Sequence, residues 1–256
     1  AWAFYDLANS VYPLVITTAV FPLYYGAITG GKNATLTVFG ATFNNTELYT
    51  YTLSLSFLIV AFISPLLSSI ADYMGNKKHF LQFFLFLGSF SVMALFFFNS
   101  IERLWVGITF SILASIGFWG SLVFYNAYLP EVAYPKDQDR VSAKGFINGY
   151  LGSVFLLVFI LTMIMMPHWY GFVPEPLKEG ESAPTIVYQL SFVIVGLWWL
   201  LFAQYTLYYL PYNTHKRKPE KDFIFKGYRE LRQVLRELKN QYTLKIFLIS
   251  FFLFSA

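Results

Sequence analysis

Long runs of apolar residues, separated by short polar connections, dominate the pattern along this chain. Six runs are about 20 residues long or longer, the length that an α-helix needs to cross the hydrocarbon core of a bilayer. They are Trp2 to Ile28, Tyr49 to Ile70, Phe80 to Phe98, Leu104 to Tyr128, Gly145 to Met166 and Ile186 to Leu210. A seventh run begins at Leu244 and reaches only Ala256, so we expect the chain to be a fragment of a longer protein. The pattern predicts an all-α polytopic membrane protein.

Composition supports this fold class and excludes several kinds of site. The chain is 57% hydrophobic and 12% charged over 256 residues, which is too apolar for a soluble domain to bury in one core. It contains no cysteine, which excludes disulfides, thiolate metal sites and thiol nucleophiles. His79, His168 and His215 fall in predicted loops or at helix ends, so they do not form a paired-histidine metal or haem site inside the membrane. Since no phosphate-cradling loop is present either, we expect no cofactor, no metal and no enzymatic activity.

The basic residues indicate how the chain is oriented in the membrane. Lys32, Arg103 and Lys178 are the members of the 18 Lys and Arg that fall in the first, third and fifth connections. The other 15 fall in or beside the even-numbered connections, which the positive-inside rule places in the cytoplasm together with the N-terminus. The net charge of +4 therefore reflects topology and contact with anionic lipid, and nothing supports binding to nucleic acid.

The apolar runs divide the chain into three regions. Residues 1–210 form a predicted six-span bundle, residues 211–243 a cytoplasmic linker, and residues 244–256 the truncated start of a seventh span. In the linker, apolar residues recur alternately four and three positions apart, which predicts an amphipathic helix. These residues are Ile224, Tyr228, Leu231, Leu235, Leu238 and Tyr242. The helix either lies on the cytoplasmic membrane surface or packs beneath the bundle as a tether.

Two polar residues, Asp6 and Asn9, lie near the start of the first apolar run. They share one helix face, and in lipid both are costly unless they face protein or water. The predicted topology places further polar and aromatic residues at the same cytoplasmic mouth, from the end of the fourth span and the entrance to the fifth. These are Tyr125, Asn126, Glu131, Arg140, Lys144 and Asn148.

Two roles fit this cluster, since it holds bases that can pair with its acids. It could form an inner gate whose salt bridges break and reform during alternating access, or Asp6 or Glu131 could carry a coupling proton. The alternative is a capping network, in which these side chains only satisfy helix ends and loop surfaces.

The connection between the second and third spans carries the motif Asp72-x-x-Gly75-x-Lys77-Lys78. Gly75 permits a tight reversal between antiparallel helices, and Asp72 offers a carboxylate to a neighbouring helix N-terminus. Lys77 and Lys78 hold the loop in the cytoplasm. An ordinary short hairpin between two spans would have the same features.

This loop motif resembles the signature of the major facilitator superfamily, although Ser68 stands where that superfamily usually has glycine. Three further segments resemble the vacuole-effluxer branch, that is, the autophagy-related permeases and their bacterial relatives. The segments are Trp2-Ala3-Phe4-Tyr5-Asp6-Leu7-Ala8-Asn9-Ser10, Tyr125-Asn126-Ala127-Tyr128-Leu129-Pro130-Glu131, and Arg140-Val141-Ser142 followed by Gly145-Phe146-Ile147-Asn148-Gly149-Tyr150-Leu151-Gly152. The resemblance covers the whole chain and implies a major-facilitator-type fold, with this chain as the N-terminal half plus the central linker. It also implies secondary transport, and for the eukaryotic members amino-acid efflux from the vacuole.

Gly145, Gly149 and Gly152 form a small-residue face in the fifth span. Such a face allows two membrane helices to approach closely. We therefore expect a packing role for these three glycines.

Two classes of function remain open. The first is a secondary transporter (permease) that moves a small polar solute, with amino acids as one candidate. Its partners would be the solute, a proton or another coupling ion, the lipid bilayer and the missing C-terminal half. The second is a non-transporting membrane scaffold or receptor module. We expect a multi-pass protein of a bacterial inner membrane, or of the vacuolar membrane if the source is eukaryotic.

Overall fold

The computed structural model describes residues 1–31, 34–38, 40–73, 77–172 and 185–211, together with single positions between 229 and 250. Within these ranges, six helices are long and apolar enough to cross a membrane, which confirms the predicted fold class. We number them span 1 to span 6: Trp2–Ile28, Asn45–Tyr73, Lys77–Ala94, Leu104–Asn126, Gln138–Met165 and Thr185–Tyr209. Short helical turns lie between or beside them at Leu95–Phe97, Ile101–Arg103, Leu129–Val132, Pro135–Asp137 and Pro167–Tyr170.

Span 1 is not a uniform α-helix. It begins as a 3₁₀ turn, continues as α-helix over Tyr5–Asn9, widens to a π-helix over Tyr12–Val20 and ends as α-helix over Phe21–Ile28. Pro13 and Pro22 lack a backbone N–H, so neither can donate the hydrogen bond that a regular α-helix needs at its position. In the widened segment, the hydroxyl of Thr18 donates to the carbonyl of Pro13 at 2.9 Å and satisfies one backbone acceptor. The prolines thus account for the change of helix type within a continuous span.

The most extensive contacts between neighbouring spans follow the order 2, 4, 3, 6, 1, 5. Span 4 packs against spans 2 and 3, span 3 also packs against span 6, and span 1 packs against spans 5 and 6. Within the described ranges, spans 2 and 5 make no extensive contact with each other. We call the side of the bundle between spans 2 and 5, where this packing is missing, its open side.

Aromatic residues fill the core at the end of the bundle where span 1 finishes. Tyr24, Phe98 and Phe192 are fully buried, and the ring centroids of Tyr24 and Phe98 are 5.7 Å apart. The Tyr24 hydroxyl donates to the Phe98 carbonyl, and Gln189 Nε2 donates to the Phe96 carbonyl at 2.6 Å. These bonds satisfy carbonyls that the helix end of span 3 leaves free, as burial in lipid requires.

A β-hairpin occupies the connection between spans 1 and 2, which the apolar pattern treats as a simple loop. Its strands, β1 (Thr35–Val38) and β2 (Ala41–Asn44), pair antiparallel with Thr35 opposite Asn44. At the turn, Gly40 has a φ of +80°, a conformation that favours glycine. Asn44 also donates its backbone N–H and its side-chain amide to the carboxylate of Glu47, which caps the start of span 2.

Several predicted features lie outside the described residues. These include Gly75 of the loop motif, the side chain of Asp72, and most of the linker and of residues 244–256. In the linker, Arg229, Arg232 and Arg236 have helical backbone and exposed side chains. The three-region division of the chain, with its amphipathic linker helix, stays a prediction.

Candidate functional site

Four helix ends meet at the end of the bundle where span 1 begins, which we call the Asp6 end. The Trp2 indole N–H donates to the carbonyl of Tyr125 near the end of span 4, at 2.9 Å. Thr206, near the end of span 6, donates its hydroxyl to the Ala1 carbonyl at 3.1 Å. Asn148 of span 5 donates its amide to the Ala3 carbonyl at 3.2 Å. The start of span 1 is therefore held by spans 4, 5 and 6 together.

Asp6 contacts Tyr125 at the centre of this junction. The Tyr125 hydroxyl donates to Asp6 Oδ2 at 2.8 Å. The Tyr125 ring stacks on Trp2, with centroids 4.2 Å apart and planes 9° from parallel, and it also packs against Tyr5 at 4.9 Å. Because two other rings hold the phenol in place, its hydroxyl is fixed relative to the carboxylate.

Asp6 has no ion pair within the described ranges. The salt bridges in that part of the chain join Lys77 to Glu131 and Arg140 to Asp137. Asp6 is half-buried, so water reaches its carboxylate only in part. Asp6 is therefore an acid in an apolar bundle, and the hydrogen-bond partner described for it is the neutral hydroxyl of Tyr125.

The glycine face of span 5 lies directly against Asp6 and the residues that follow it. Gly145, Gly149 and Gly152 are buried, and a methyl group on Gly145 would collide with Asp6 Oδ2. A methyl group on Gly149 would come within 2.6 Å of Ser10 Oγ, and one on Gly152 within 3.0 Å of a backbone oxygen of span 1. Only glycine lets the two backbones approach this closely.

Glu131 pairs with Lys77, which is not one of the two bases of the predicted cluster, Arg140 and Lys144. Its carboxylate lies 2.7 Å from Lys77 Nζ, which also donates to the Ala127 carbonyl at 3.1 Å. Arg140 instead lies 2.9 Å from Asp137, and Lys144 is exposed. Arg140, one of the bases of the predicted cluster, therefore pairs with Asp137 and with neither Glu131 nor Asp6 in the described part of the chain. Span 5 is already helical at Gln138, which places Arg140 over Asp137 by the i, i+3 spacing.

Lys77 and Lys78 are more than solvated loop residues. They are only 9% and 5% exposed, and each reaches the carboxyl end of a span. Lys77 binds the end of span 4 through Ala127, and Lys78 Nζ donates to the Leu210 carbonyl at 3.0 Å, at the end of span 6. Free carbonyls at a helix C-terminus attract cations, so the two lysines fix the second connection to two spans. The loop motif showed these residues but could not show which helix ends they reach.

The remaining residues of the predicted cluster occupy different environments. Asn9 is 1% exposed, and its amide nitrogen has no partner within the described ranges. Its Oδ1 accepts from the Ser10 hydroxyl across a long 3.4 Å. Asn126 is exposed near the end of span 4. Within the described ranges, no three His, Asp or Glu residues are grouped so that they could hold a metal ion.

Comparison with known proteins assigns the chain to one family. A family model described as "Vacuole effluxer Atg22 like" matches residues 1–256. The chain is 34% identical to a Bacillus subtilis protein named "Uncharacterized MFS-type transporter YxiO", over 99% of the chain and 56% of that protein. It is 22% identical to autophagy-related protein 22-1 of Penicillium rubens, over 71% of the chain and 39% of that protein. The chain thus spans about half the length of these relatives or less, and no solved structure matches it.

Proposed function

Because the chain belongs to the Atg22-like family of vacuole effluxers, we propose that it forms the N-terminal half of a secondary transporter. The transporter moves a small polar solute by alternating access, and amino acids are its substrate class. The half described is a multi-pass membrane bundle with an open side between spans 2 and 5. A second bundle in the remaining part of the protein would cover that side and complete a solute path between the two halves.

The single observation that carries the mechanism is the contact between Asp6 and Tyr125. A carboxylate tied to a lysine or arginine keeps its charge, whereas one held by a neutral hydroxyl can gain and lose a proton without breaking an ion pair. Asp6 has the second arrangement within the described ranges. We assign it the coupling proton.

Protonation of Asp6 would act on the contact between spans 1 and 4. A neutral carboxyl accepts a hydrogen bond less strongly than a carboxylate does, so the bond from Tyr125 weakens when Asp6 takes up a proton. Protonation of Asp6 would also affect the packing of span 5, because the backbone at Gly145 lies directly against the Asp6 carboxylate. Proton binding would thereby change how three spans pack at the Asp6 end.

The charged residues on the rim of this end suit a gate. Glu131 is partly exposed although it binds Lys77, and Arg140, Lys144 and Asn126 are exposed. In this proposal they make polar contacts with the other half when the Asp6 end is closed and release them when it opens. Asp72 and Gly75 of the loop motif are assigned to the same movement.

We also propose that the Asp6 end faces the cytoplasm. The excess of Lys and Arg in the even-numbered connections supports this orientation. The membrane would be the inner membrane of a bacterium or the vacuolar membrane of a eukaryote.

The decisive experiment measures amino-acid uptake and efflux in vesicles that carry the full-length protein, with and without a proton gradient. We expect an imposed gradient to accelerate transport of at least one solute. In the Asp6→Asn variant, gradient-driven transport should fall to about a tenth or less, since the side chain can no longer take up a proton. The matched control is Asp139→Asn, at an exposed acid in the first turn of span 5, which should retain wild-type transport.

Normal gradient-driven transport by Asp6→Asn would reject the coupling role. Absence of transport for every solute of the panel, in a protein shown to be folded, would reject the transporter itself.

A further inference from the structure

A groove of about 470 Å³ lies between spans 3 and 6 at the Asp6 end of the bundle. Lys78 and Gln82 line it from the start of span 3, and Gln204, Leu207 and Tyr208 line it from the end of span 6. The two spans run in opposite directions, and the bond from Lys78 Nζ to the Leu210 carbonyl joins the start of one to the end of the other. The groove therefore lies at the level where both spans leave the membrane.

The position of the groove in the bundle turns it toward lipid. Spans 3 and 6 are in the middle of the contact order, whereas the open side lies between spans 2 and 5. Gln204 is exposed, and Tyr208 is 80% exposed. A side chain that is exposed on the outside of a membrane bundle at this level meets lipid headgroups, and tyrosine is enriched there. The groove is thus open to lipid and remote from the proposed solute path.

Three side chains of the groove can donate hydrogen bonds to a ligand. Within the described ranges, no hydrogen bond occupies the Gln82 amide or the Tyr208 hydroxyl. Gln204 Nε2 donates to the Leu200 carbonyl at 2.9 Å, and the same amide carries a second N–H. Phosphate oxygens are strong acceptors for donors of these types.

Lys78 adds a positive charge to the groove. The residue is only 5% exposed, and the Leu210 carbonyl holds its Nζ in place. Salt and water screen a nearly buried charge less than an exposed one, so Lys78 attracts an anion in the groove without leaving Leu210. Among the described residues that line the groove, none is Asp or Glu. The charge and the donors together favour an anionic ligand.

Apolar side chains continue the groove toward the middle of the membrane. On span 3, Phe86 and Phe90 follow Gln82 at four-residue spacing, and the centroids of the two phenyl rings are 6.0 Å apart. On span 6, Leu201 lies one turn deeper than Gln204 and is 63% exposed. The distance from Gln82 to Phe90 along the helix axis is about 12 Å, which is close to the roughly 15 Å of hydrocarbon in one leaflet. This surface suits an acyl chain.

We propose that the groove binds the headgroup of an anionic phospholipid, whose acyl chain lies along spans 3 and 6. Gln82, Gln204 and Tyr208 donate to the phosphate oxygens, and Lys78 supplies the counter-charge. Basic pockets between membrane helices bind anionic headgroups in this way. The proposal needs neither the solute nor the coupling proton, so its tests do not depend on transport.

The first test measures lipid binding to the full-length protein in detergent by native mass spectrometry. Phosphatidylglycerol should bind with a lower Kd than phosphatidylcholine with the same acyl chains. In the double variant Gln82→Leu/Gln204→Leu, which keeps the side-chain size and removes both amides, the Kd for phosphatidylglycerol should rise about tenfold. The matched control is Gln138→Leu, in the first turn of span 5 and outside the groove, which should keep the wild-type Kd.

A second test probes the groove directly and does not use the double variant. In a full-length background from which other cysteines are removed, Tyr208→Cys places a thiol in the groove, while both amides and Lys78 remain. Phosphatidylglycerol should slow the labelling of this thiol by N-ethylmaleimide, and phosphatidylcholine at the same concentration should not. Tyr134→Cys, at a residue that is 75% exposed and outside the groove, should be labelled at one rate with either lipid.

The outcomes separate a lipid from other occupants of the groove. An equal Kd for the two lipids, or an unchanged Kd in the double variant together with no protection of Tyr208→Cys, would overturn the proposal. Protection by glycerol 3-phosphate as strong as that by phosphatidylglycerol would assign the groove to a soluble phosphate instead. Slow labelling of Tyr208→Cys without lipid, unaffected by phosphatidylglycerol, would show that another part of the protein covers the groove and that the proposal is wrong.

Discussion

At the scale of single residues, Asp6 and Tyr125 define the centre of the proposed mechanism. The two side chains are 119 positions apart and meet at 2.8 Å. Trp2 stacks on the Tyr125 ring and binds the Tyr125 carbonyl, so one residue of span 1 fixes both the side chain and the backbone of its partner. The Tyr125 hydroxyl is therefore positioned to donate a hydrogen bond to the Asp6 carboxylate.

Tyr125→Phe tests this assignment by removing one oxygen atom. The stack on Trp2 should remain, while Asp6 loses a hydrogen bond of the kind that contributes about 1.5–3 kcal/mol when one partner is charged. We expect gradient-driven transport by the full-length protein to fall about tenfold and its pH profile to shift, with little loss of folded protein. Tyr134→Phe, at a residue that is 75% exposed, is the control, and equal transport by the two variants would contradict the role of Tyr125.

At the scale of helices, close packing depends on the glycine face of span 5. Gly149 lies where a methyl group would approach Ser10 Oγ to 2.6 Å. Gly26 in span 1 has no heavy atom within 4 Å of the same added carbon. The two positions therefore form a matched pair for one substitution.

Gly149→Ala should lower the free energy of unfolding by about 2 kcal/mol, since overpacking of this kind forces backbone shifts. Gly26→Ala should be neutral or slightly stabilising, because alanine favours helix more than glycine does. Thermal unfolding of the full-length protein in detergent measures both. A Gly149→Ala variant as stable as Gly26→Ala would show that the two spans do not pack as closely as described.

The second helix-scale feature is the pair of lysines that join the second connection to the ends of spans 4 and 6. Lys77→Met removes the charge that Glu131 and the Ala127 carbonyl share. Because Lys77 is nearly buried while the Glu131 side chain is 31% exposed, we expect a loss of stability of about 1–2 kcal/mol, below the range for a fully buried pair. Lys136→Met, at an exposed residue, should leave the melting temperature unchanged, and a similar value for Lys77→Met would contradict this role.

At the scale of the whole molecule, the orientation in the membrane can be tested directly. Arg103, just before span 4, and Arg140, in the first turn of span 5, are both exposed and lie at opposite ends of the bundle. In intact bacterial cells that carry the full-length protein in the inner membrane, a membrane-impermeant thiol reagent should label Arg103→Cys and leave Arg140→Cys unlabelled, since the positive-inside rule places Arg140 in the cytoplasm. The reverse pattern would overturn the proposed topology.

The second feature at the scale of the whole molecule is the open side of the bundle. Spans 2 and 5 flank it, and the described residues of these two spans do not pack extensively on each other. The relatives named above are longer than this chain. Our proposal that a second bundle covers this side therefore concerns the full-length protein, and its tests use that protein.

The sequence by itself determined the six spans, because an apolar run long enough to cross a bilayer has few other stable structures. Its motifs determined the family. It also brought Asp6 and Tyr125 to one end, since antiparallel spans alternate in direction. Only the tertiary structure decided which side chains touch: that Glu131 binds Lys77, and that Arg140 pairs with Asp137. These contacts depend on the rotation of each helix about its axis and on its packing order, and hydropathy specifies neither of them.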